Sequence, residues 1–172
     1  CTDEGLILFD EEKEAFIAHY HIEQNDEFFL PTQNVQHLYQ DNQGIYWVAT
    51  ADGGIIRWDK KDNQYQQFAI KDGMPSHVIY SVYSDDFDNL WMSSDYGIIR
   101  MNKTTFAIKN YLTDAGTGQT EFNSMAHFEY LDKEGNQCLF FAGLKGGFTS
   151  FCPASMLLFR APIKHSIRYT LW

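Results

Sequence analysis

The sequence predicts an all-β fold, and three of its features support that prediction. Its apolar runs are short and rich in aromatic and β-branched residues. Clusters of Gly, Asp and Asn separate these runs, which is typical of strands and hairpins rather than of helices. Segments of the chain also resemble one another at a fixed spacing, which indicates a repeat architecture.

The repeat is clearest when residues 45–68 are aligned with residues 89–111. Trp47 and Trp91 then lie 44 positions apart, and each stands in an apolar triplet that is followed by a small-residue turn and a second strand-like run. Residues 138–153 form a third copy, with Phe140 in place of the tryptophans.

Only half of a fourth copy is present. Residues 5–16 overlay the second half of the next copy, with Gly5 aligned to Gly54 and Phe9 to Trp58. The chain therefore contains half a unit followed by three units.

Each complete unit divides into four predicted strands. A period of about 45 residues with four strands per period is typical of a β-propeller blade. We therefore expect a β-propeller fragment of about three and a half four-stranded blades, fewer than close a ring. Two strands are expected before residue 22, and eleven more at 35–41, 45–50, 55–59, 65–70, 78–84, 89–94, 97–102, 107–112, 125–131, 138–142 and 147–152. The predicted division is a half blade at 1–34, blades at 35–78, 79–124 and 125–156, and a tail at 157–172 that is either a closing strand or the start of a following domain.

The charge balance narrows the possible functions. Twenty-three acids against 13 bases give a formal net charge of −10, and every acid precedes residue 135. An acidic body repels phosphate backbones and anionic membranes, so we expect no nucleic-acid partner. No run of about 18 apolar residues occurs, and the sequence therefore predicts no membrane span.

The first residues, CTDEGLILFD, have neither the basic start nor the apolar stretch of a secretory signal. Any signal was removed or lies upstream. Cys1 is compatible with a lipoprotein anchor, but it falls inside a strand–turn–strand pattern whose first strand would precede it. We therefore expect the chain to be a fragment.

Residues 35–102 resemble tandem repeats of the two-component-regulator propeller family, which read as a strand, Asp, a Gly/Asn turn, Leu-Trp, small residues, Gly-Leu, then an aromatic residue and Asp. The segment DGMPSHV (72–78) resembles the family's Gly-Leu-Pro-Ser-Asn turn, with Met74 and His77 as departures. The segment TEFNSMAHFEYLDKEGNQCLFFAGLKGGFTSFCP (120–153) is similar to the family's last blade.

The resemblance implies a ligand-sensing propeller segment of a bacterial signal-transduction receptor, in the periplasm or elsewhere outside the cytoplasm. Members are usually sensing regions of transmembrane histidine kinases, hybrid two-component proteins or diguanylate cyclases, often associated with glycan uptake. It implies a small-molecule or carbohydrate ligand and an output domain in the same full-length receptor. The alternatives are a propeller lyase or hydrolase that uses residues such as His77, and a passive interaction scaffold.

No nucleophile elbow, metalloprotease motif or phosphate loop occurs, so we expect no enzyme activity in this chain and no cofactor. His19 and His21 alternate along one strand face and are close enough to share a metal, but no third ligand is spaced beside them. The acidic turn at 85–89 offers oxygen ligands for calcium but lacks the twelve-residue loop spacing. We expect packed or solvent-facing histidines and a solvated turn, with no bound metal.

Trp47, Trp58 and Trp91 are expected in the core between blades, because a repeated aromatic residue more often packs than binds sugar. Short polar residues precede each first strand, and they either satisfy turn backbone groups or line the channel mouth and contact ligand. The candidate ligand-binding residues, including those of the turns between second and third strands, are Asn34, His77, Asn123, Asp52, Asp95 and Tyr96.

Two further expectations concern the end of the chain and its assembly. Cys138 and Cys152 are placed to face each other across a hairpin, at disulfide range. Because an extra Gly147 favours a bulge that shifts the register, we expect free thiols rather than a disulfide. Unclosed sheets leave apolar end faces, so we expect a homodimer or another assembly that buries them, and a symmetric dimer closing one ring is attractive.

Overall fold

The computed structural model describes residues 4–22, 30–115, 117, 120–144 and 147–158. Within them lie thirteen strands: β1 (Leu6–Asp10), β2 (Ala15–Tyr20), β3 (Val35–Gln40), β4 (Tyr46–Thr50), β5 (Ile55–Asp59), β6 (Gln64–Phe68), β7 (Ile79–Ser84), β8 (Asn89–Ser94), β9 (Gly97–Asn102), β10 (Ile108–Tyr111), β11 (Phe122–Leu131), β12 (Gln137–Gly143) and β13 (Phe148–Phe151). The helical segments are two 3₁₀ turns, Ile70–Asp72 and Thr113–Ala115, and the short helix α1 (Pro153–Leu158).

The strands form four antiparallel sheets in chain order. A half sheet (β1–β2) is followed by the first sheet (β3–β6), the second sheet (β7–β10) and the third sheet (β11–β13). The predicted all-β propeller fragment is confirmed, and each expected strand is present. β11 begins at Phe122, three residues before its expected start, because a bulge between Phe122 and His127 lengthens it. Cys1 and residues 159–172 of the tail lie outside the described residues.

A buried aspartate closes the first hairpin of each of the first two sheets. Asp41 accepts hydrogen bonds from the Ile45 amide and, at 2.9 Å, from Trp47 Nε1. Asp85 accepts in the same way from the Asn89 amide and, at 2.8 Å, from Trp91 Nε1. The expected solvated turn is therefore wrong at Asp85, which is 4% exposed and whose two oxygens accept from protein donors.

The half sheet, the first sheet and the second sheet each have one glycine whose amide binds the segment that enters the next sheet. The amides of Gly5, Gly54 and Gly97 donate to the carbonyl oxygens of Gln33, His77 and Thr120. All three glycines have positive φ, between 79° and 106°. A Cβ atom at each would also collide with a backbone carbonyl at the end of the same sheet, so only glycine fits.

The core lies between successive sheets. We call the face of a sheet that points to the next sheet its forward face, and the opposite one its back face. Trp47 is on the forward face of the first sheet and packs with Met92 and Ile99 on the back face of the second. Trp91 packs forward in the same way, against Phe141 of the third sheet. The predicted core positions of Trp47, Trp58 and Trp91 are confirmed, with exposures of 1%, 3% and 0%.

Cys138 and Cys152 form a disulfide, so the expectation of free thiols is wrong. The strands pair with Leu139 opposite Phe151 and Ala142 opposite Phe148, and this register places the cysteines directly across from each other. Gly147 lies in the turn before β13 and causes no shift, since Gly143 and Gly147 are joined there by a backbone hydrogen bond.

Among the described residues, no helix has both the length and the apolar character that crossing a membrane requires.

Candidate functional site

Polar residues meet at one end of the first and second sheets. In each sheet the first strand starts beside the end of the second strand, as the pairs Val35–Thr50 and Ile79–Ser94 show. The segment that enters the first strand therefore lies next to the turn between the second and third strands. We call this the polar end, and its residues are Thr32, Asn34, Asp52, Ser76, Asp95 and Tyr96.

In the first sheet, Asp52 is held by two side chains. Thr32 Oγ1 donates to Asp52 Oδ1 at 2.8 Å, and Asn34 Nδ2 donates to Asp52 Oδ2 at 2.7 Å. Thr32 Oγ1 also accepts from the Asn34 amide at 3.1 Å. Both carboxylate oxygens thus have protein donors, and a ligand here would use their remaining lone pairs.

In the second sheet, the equivalent aspartate is less fully bonded. Ser76 Oγ donates to Asp95 Oδ1 at 2.5 Å and accepts from the Val78 amide at 2.8 Å. Among the described residues, no hydrogen bond is made by Asp95 Oδ2. Tyr96, the next residue in the chain, is 52% exposed, so the same turn carries an acceptor without a described partner and an exposed aromatic side chain.

Three of the predicted residues do not occupy equivalent positions, contrary to the sequence interpretation. Asn34 directly precedes β3, His77 stands two residues before β7, and Asn123 is the second residue of β11. The glycine hydrogen bonds show that His77 corresponds to Gln33 and Thr120 instead. Asn123 Oδ1 accepts from the Met125 amide within the bulge, so it serves the local turn.

The repeated anchors of the polar end are Thr32 and Ser76, which the sequence interpretation missed. Each follows a proline, and the two Pro-hydroxyl pairs lie 44 residues apart, a spacing that would have revealed them. A hydroxyl is needed at this position because it donates to the aspartate across the turn while accepting from the backbone.

The polar end is acidic. The pKa of Tyr80 is raised, first by burial and then by the negative charges of Asp95 and Glu121. These carboxylates and Asp52 have no basic partner in the ion pairs of the described residues. The field at this end therefore disfavours anionic ligands and tolerates neutral or cationic ones.

A second cluster joins the first strands of the three larger sheets, which are β3, β7 and β11. The Val82 amide donates to His37 Nδ1 at 3.2 Å, and Tyr83 Oη lies 2.7 Å from His127 Nδ1. The two imidazole centroids are 4.6 Å apart. Burial, followed by the nearby His127, lowers the pKa of His37 to about 4. Burial also lowers the pKa of His127, and it raises that of Tyr83 to about 12.

The histidine pair considered for a metal is engaged in the half sheet. The rings of His19 and His21 are 5.2 Å apart, and His19 Nε2 lies 2.8 Å from the Glu4 carbonyl oxygen. Within the described parts of the chain, the grouping that offers three metal-ligating atoms is Asp132 with Cys138 and Cys152. Because these two sulfurs are bonded to each other, the group fits a disulfide rather than a thiolate site.

The successive antiparallel sheets, and the contacts between the first strands of the three larger ones, define a segment of a β-propeller. Residues 30–52 match the family described as two component regulator propeller, which confirms the resemblance found in the sequence. No curated protein matches the chain.

Solved structures with the same fold come from B. thetaiotaomicron. The extracellular domain of the hybrid two component system BT3049 matches 88% of this chain with 18% identity and a TM-score of 0.66. Two structures of the extracellular domain of BT4673, described as a one component and as a hybrid two component system, match 90% and 88% of the chain with identities of 20% and 25% and TM-scores of 0.65. The chain spans only 20–22% of the length of these structures.

Proposed function

We propose that this chain is part of an extracytoplasmic sensor propeller that binds an uncharged carbohydrate at its polar end. The observation that carries the proposal is the combination of Asp95 and Tyr96. Asp95 offers a carboxylate oxygen for sugar hydroxyls, and Tyr96 offers an exposed ring for stacking. The acidic surroundings favour a neutral glycan over a sulfated or phosphorylated one.

The setting of a signalling receptor is supported by the similar structures, whose descriptions name them as extracellular domains of two component and one component systems. The disulfide between Cys138 and Cys152 also fits an oxidising compartment. An output domain would then belong to the same full-length receptor.

The polar end is better suited to binding a ligand than to catalysing its conversion. Ser76 Oγ is committed to Asp95 and to the Val78 amide, which is the geometry of a turn anchor rather than of an activated nucleophile. His77 contributes its backbone carbonyl to Gly54, and its imidazole is exposed.

Isothermal titration of the chain with neutral gluco-, manno- and xylo-oligosaccharides, and with a sulfated disaccharide, tests the proposal. We expect at least one neutral oligosaccharide to bind, and Asp95→Asn and Tyr96→Ala each to weaken it about tenfold or more. Asp62→Asn, at an exposed turn between β5 and β6, is the matched control. Binding of the sulfated sugar alone, or equal effects of the three variants, contradicts the proposed site. Mass spectrometry of the sugars after incubation should show them intact; cleavage would favour the enzyme alternative.

A further inference from the structure

The first strands of the first and second sheets each carry a bulge one residue inside the polar end. In β7 the register shifts between Ile79 and Ser81, so Tyr80 has no partner on the neighbouring strand. In β3 the same shift falls at Gln36. A bulge re-aims the side chain that it carries, and bulges are over-represented next to active sites. The side chains at these two positions are therefore candidates for contact with a ligand.

The bulge in β7 turns Tyr80 towards the third sheet. Tyr83 points to the forward face of the second sheet and Val82 to its back face. Strict alternation along the strand would place Tyr80 on the back face with Val82. Tyr80 is instead half-buried and packs against the forward cluster that contains Trp91 and Phe141. Its ring is therefore held in the junction between the second and third sheets.

The Tyr80 hydroxyl lies near the carboxylates of the polar end. Burial, followed by the charges of Asp95 and Glu121, raises the pKa of Tyr80. Glu121 enters the third sheet at this same end, because it directly follows Thr120, whose carbonyl oxygen accepts from the Gly97 amide. The raised pKa keeps the proton on the phenol at neutral pH, so the hydroxyl is a hydrogen-bond donor. Among the described residues this hydroxyl makes no hydrogen bond, and its proton is available to a ligand.

A donor beside Asp95 is what a sugar hydroxyl requires. The carboxylate of Asp95 can only accept, and the proton of Ser76 Oγ is already donated to it. A sugar hydroxyl both donates and accepts, so Asp95 alone satisfies only part of its hydrogen-bonding capacity. Tyr80 can satisfy the remainder. Because the packed ring already holds the donor in place, little conformational entropy is lost when a ligand binds.

We propose that Tyr80 is a specificity-determining residue of the polar end, where it donates its phenol O–H to a hydroxyl oxygen of the sugar unit that Asp95 binds. This inference rests on the proposed carbohydrate function and narrows its ligand class. A site built to hydrogen-bond a hydroxyl rejects the analogue that lacks it, because the protein donor is then left without a partner. The site therefore selects a neutral glycan over the form of the same glycan that is deoxygenated at the contacted position.

Isothermal titration of the chain with the best-binding neutral oligosaccharide tests the proposal. Tyr80→Phe keeps the ring and its packing but removes the O–H, and it should weaken binding about 3- to 10-fold. Tyr46→Phe is the matched control: it removes the same group at the start of β4, the end of that strand opposite the polar end, and should leave binding unchanged. Asp95→Asn, measured in parallel, reports separately on the proposed carbohydrate site.

Monodeoxy derivatives of the same oligosaccharide identify the contact without relying on a variant alone. The derivative that lacks the contacted hydroxyl should bind the wild type about 3- to 10-fold more weakly. Tyr80→Phe should bind that derivative no more weakly than the wild type does, so the two losses do not add.

The outcomes separate the role of Tyr80 from the proposed function. If Asp95→Asn weakens binding but Tyr80→Phe binds as tightly as the wild type, or if the losses add for every derivative, the role of Tyr80 is overturned and the carbohydrate site stands. If the wild type binds no neutral oligosaccharide, or if Asp95→Asn has no effect, the proposed site and the role of Tyr80 fall together.

Discussion

Asp85→Asn should destabilise the chain strongly, because the buried Asp85 side chain accepts several hydrogen bonds that asparagine cannot all replace. Its carboxylate accepts from two backbone amides and from Trp91 Nε1, whose side chain has no solvent exposure. An asparagine can still accept from the amides through its one oxygen, but its NH₂ group would then face the indole N–H. Losing a hydrogen bond to a charged acceptor and leaving a buried donor unpaired costs about 3 kcal/mol.

Asp132→Asn is the matched control in the same chain. Asp132 accepts from the Glu134 and Asn136 amides in the equivalent turn, but it is only half-buried, and Phe140 stands where the tryptophan would be. Urea unfolding should show a midpoint lowered by about 1.5 M for Asp85→Asn, taking an m-value of about 2 kcal/mol/M, and a much smaller change for the control. A double-mutant cycle with Trp91→Phe should give a coupling energy of at least 1 kcal/mol, by order of magnitude. Equal effects of Asp85→Asn and Asp132→Asn, or no coupling, would refute the reasoning.

Three further predictions follow from the fold. Gly54→Ala should lower the free energy of unfolding, measured in urea, by about 3 kcal/mol or more, because the added Cβ collides with backbone at a residue of positive φ. Gly135→Ala is the control: its φ is also positive but its Cβ would meet open space, so it should cost only about 1 kcal/mol. Similar costs for the two variants would exclude the collision. The pKa of His37 is lowered to about 4 in the folded chain, so the unfolded chain binds the proton more tightly and stability should fall as pH decreases from about 6.5 towards 4. His37→Asn, which keeps an acceptor for the Val82 amide, should reduce this acid-induced loss of stability by about 2 kcal/mol. His77→Asn, at an exposed histidine, should leave the loss unchanged. A loss of stability that His37→Asn does not reduce would contradict the lowered pKa of His37. Thiol counting in denaturant without reductant should find one reactive thiol among the three cysteines, and three would contradict the disulfide.

The fold was predictable because its determinants are local and repeated. Trp47 and Trp91 recur at the period of the sheets, and glycines such as Gly54 mark turns that only glycine fits. Strand positions therefore follow from the pattern to within a few residues. The disulfide was harder, because it depends on whether the turn at Gly147 shifts the register by one residue, and sequence alone does not fix that.

The polar end was predictable only in part. Asp52 and Asp95 were found because they lie in a recognisable turn, but their partners Thr32 and Ser76 lie 20 and 19 residues earlier in the chain. The error in aligning Asn34 with His77 arose because Asn34 lies one residue before β3 whereas His77 lies two residues before β7. A shift of one residue moves a side chain to another position without altering the apolar pattern of the strands. The His37–His127 contact joins sheets that are not neighbours, and the repeat places residues one or two periods apart without showing which side chains touch.

The central claim is that the polar end, and not the opposite end of the sheets, binds a neutral glycan. Backbone amide chemical shifts of the ¹⁵N-labelled chain, followed by NMR while the best-binding neutral oligosaccharide is added, test it most directly. We predict the largest shifts at Asp95, Tyr96 and Asp52, and little change at the hairpin turns that contain Gly44 and Asp86, which lie at the other end of the same strands. Saturable shifts confined to those hairpin turns, or no saturable shifts with any neutral oligosaccharide, would contradict the account.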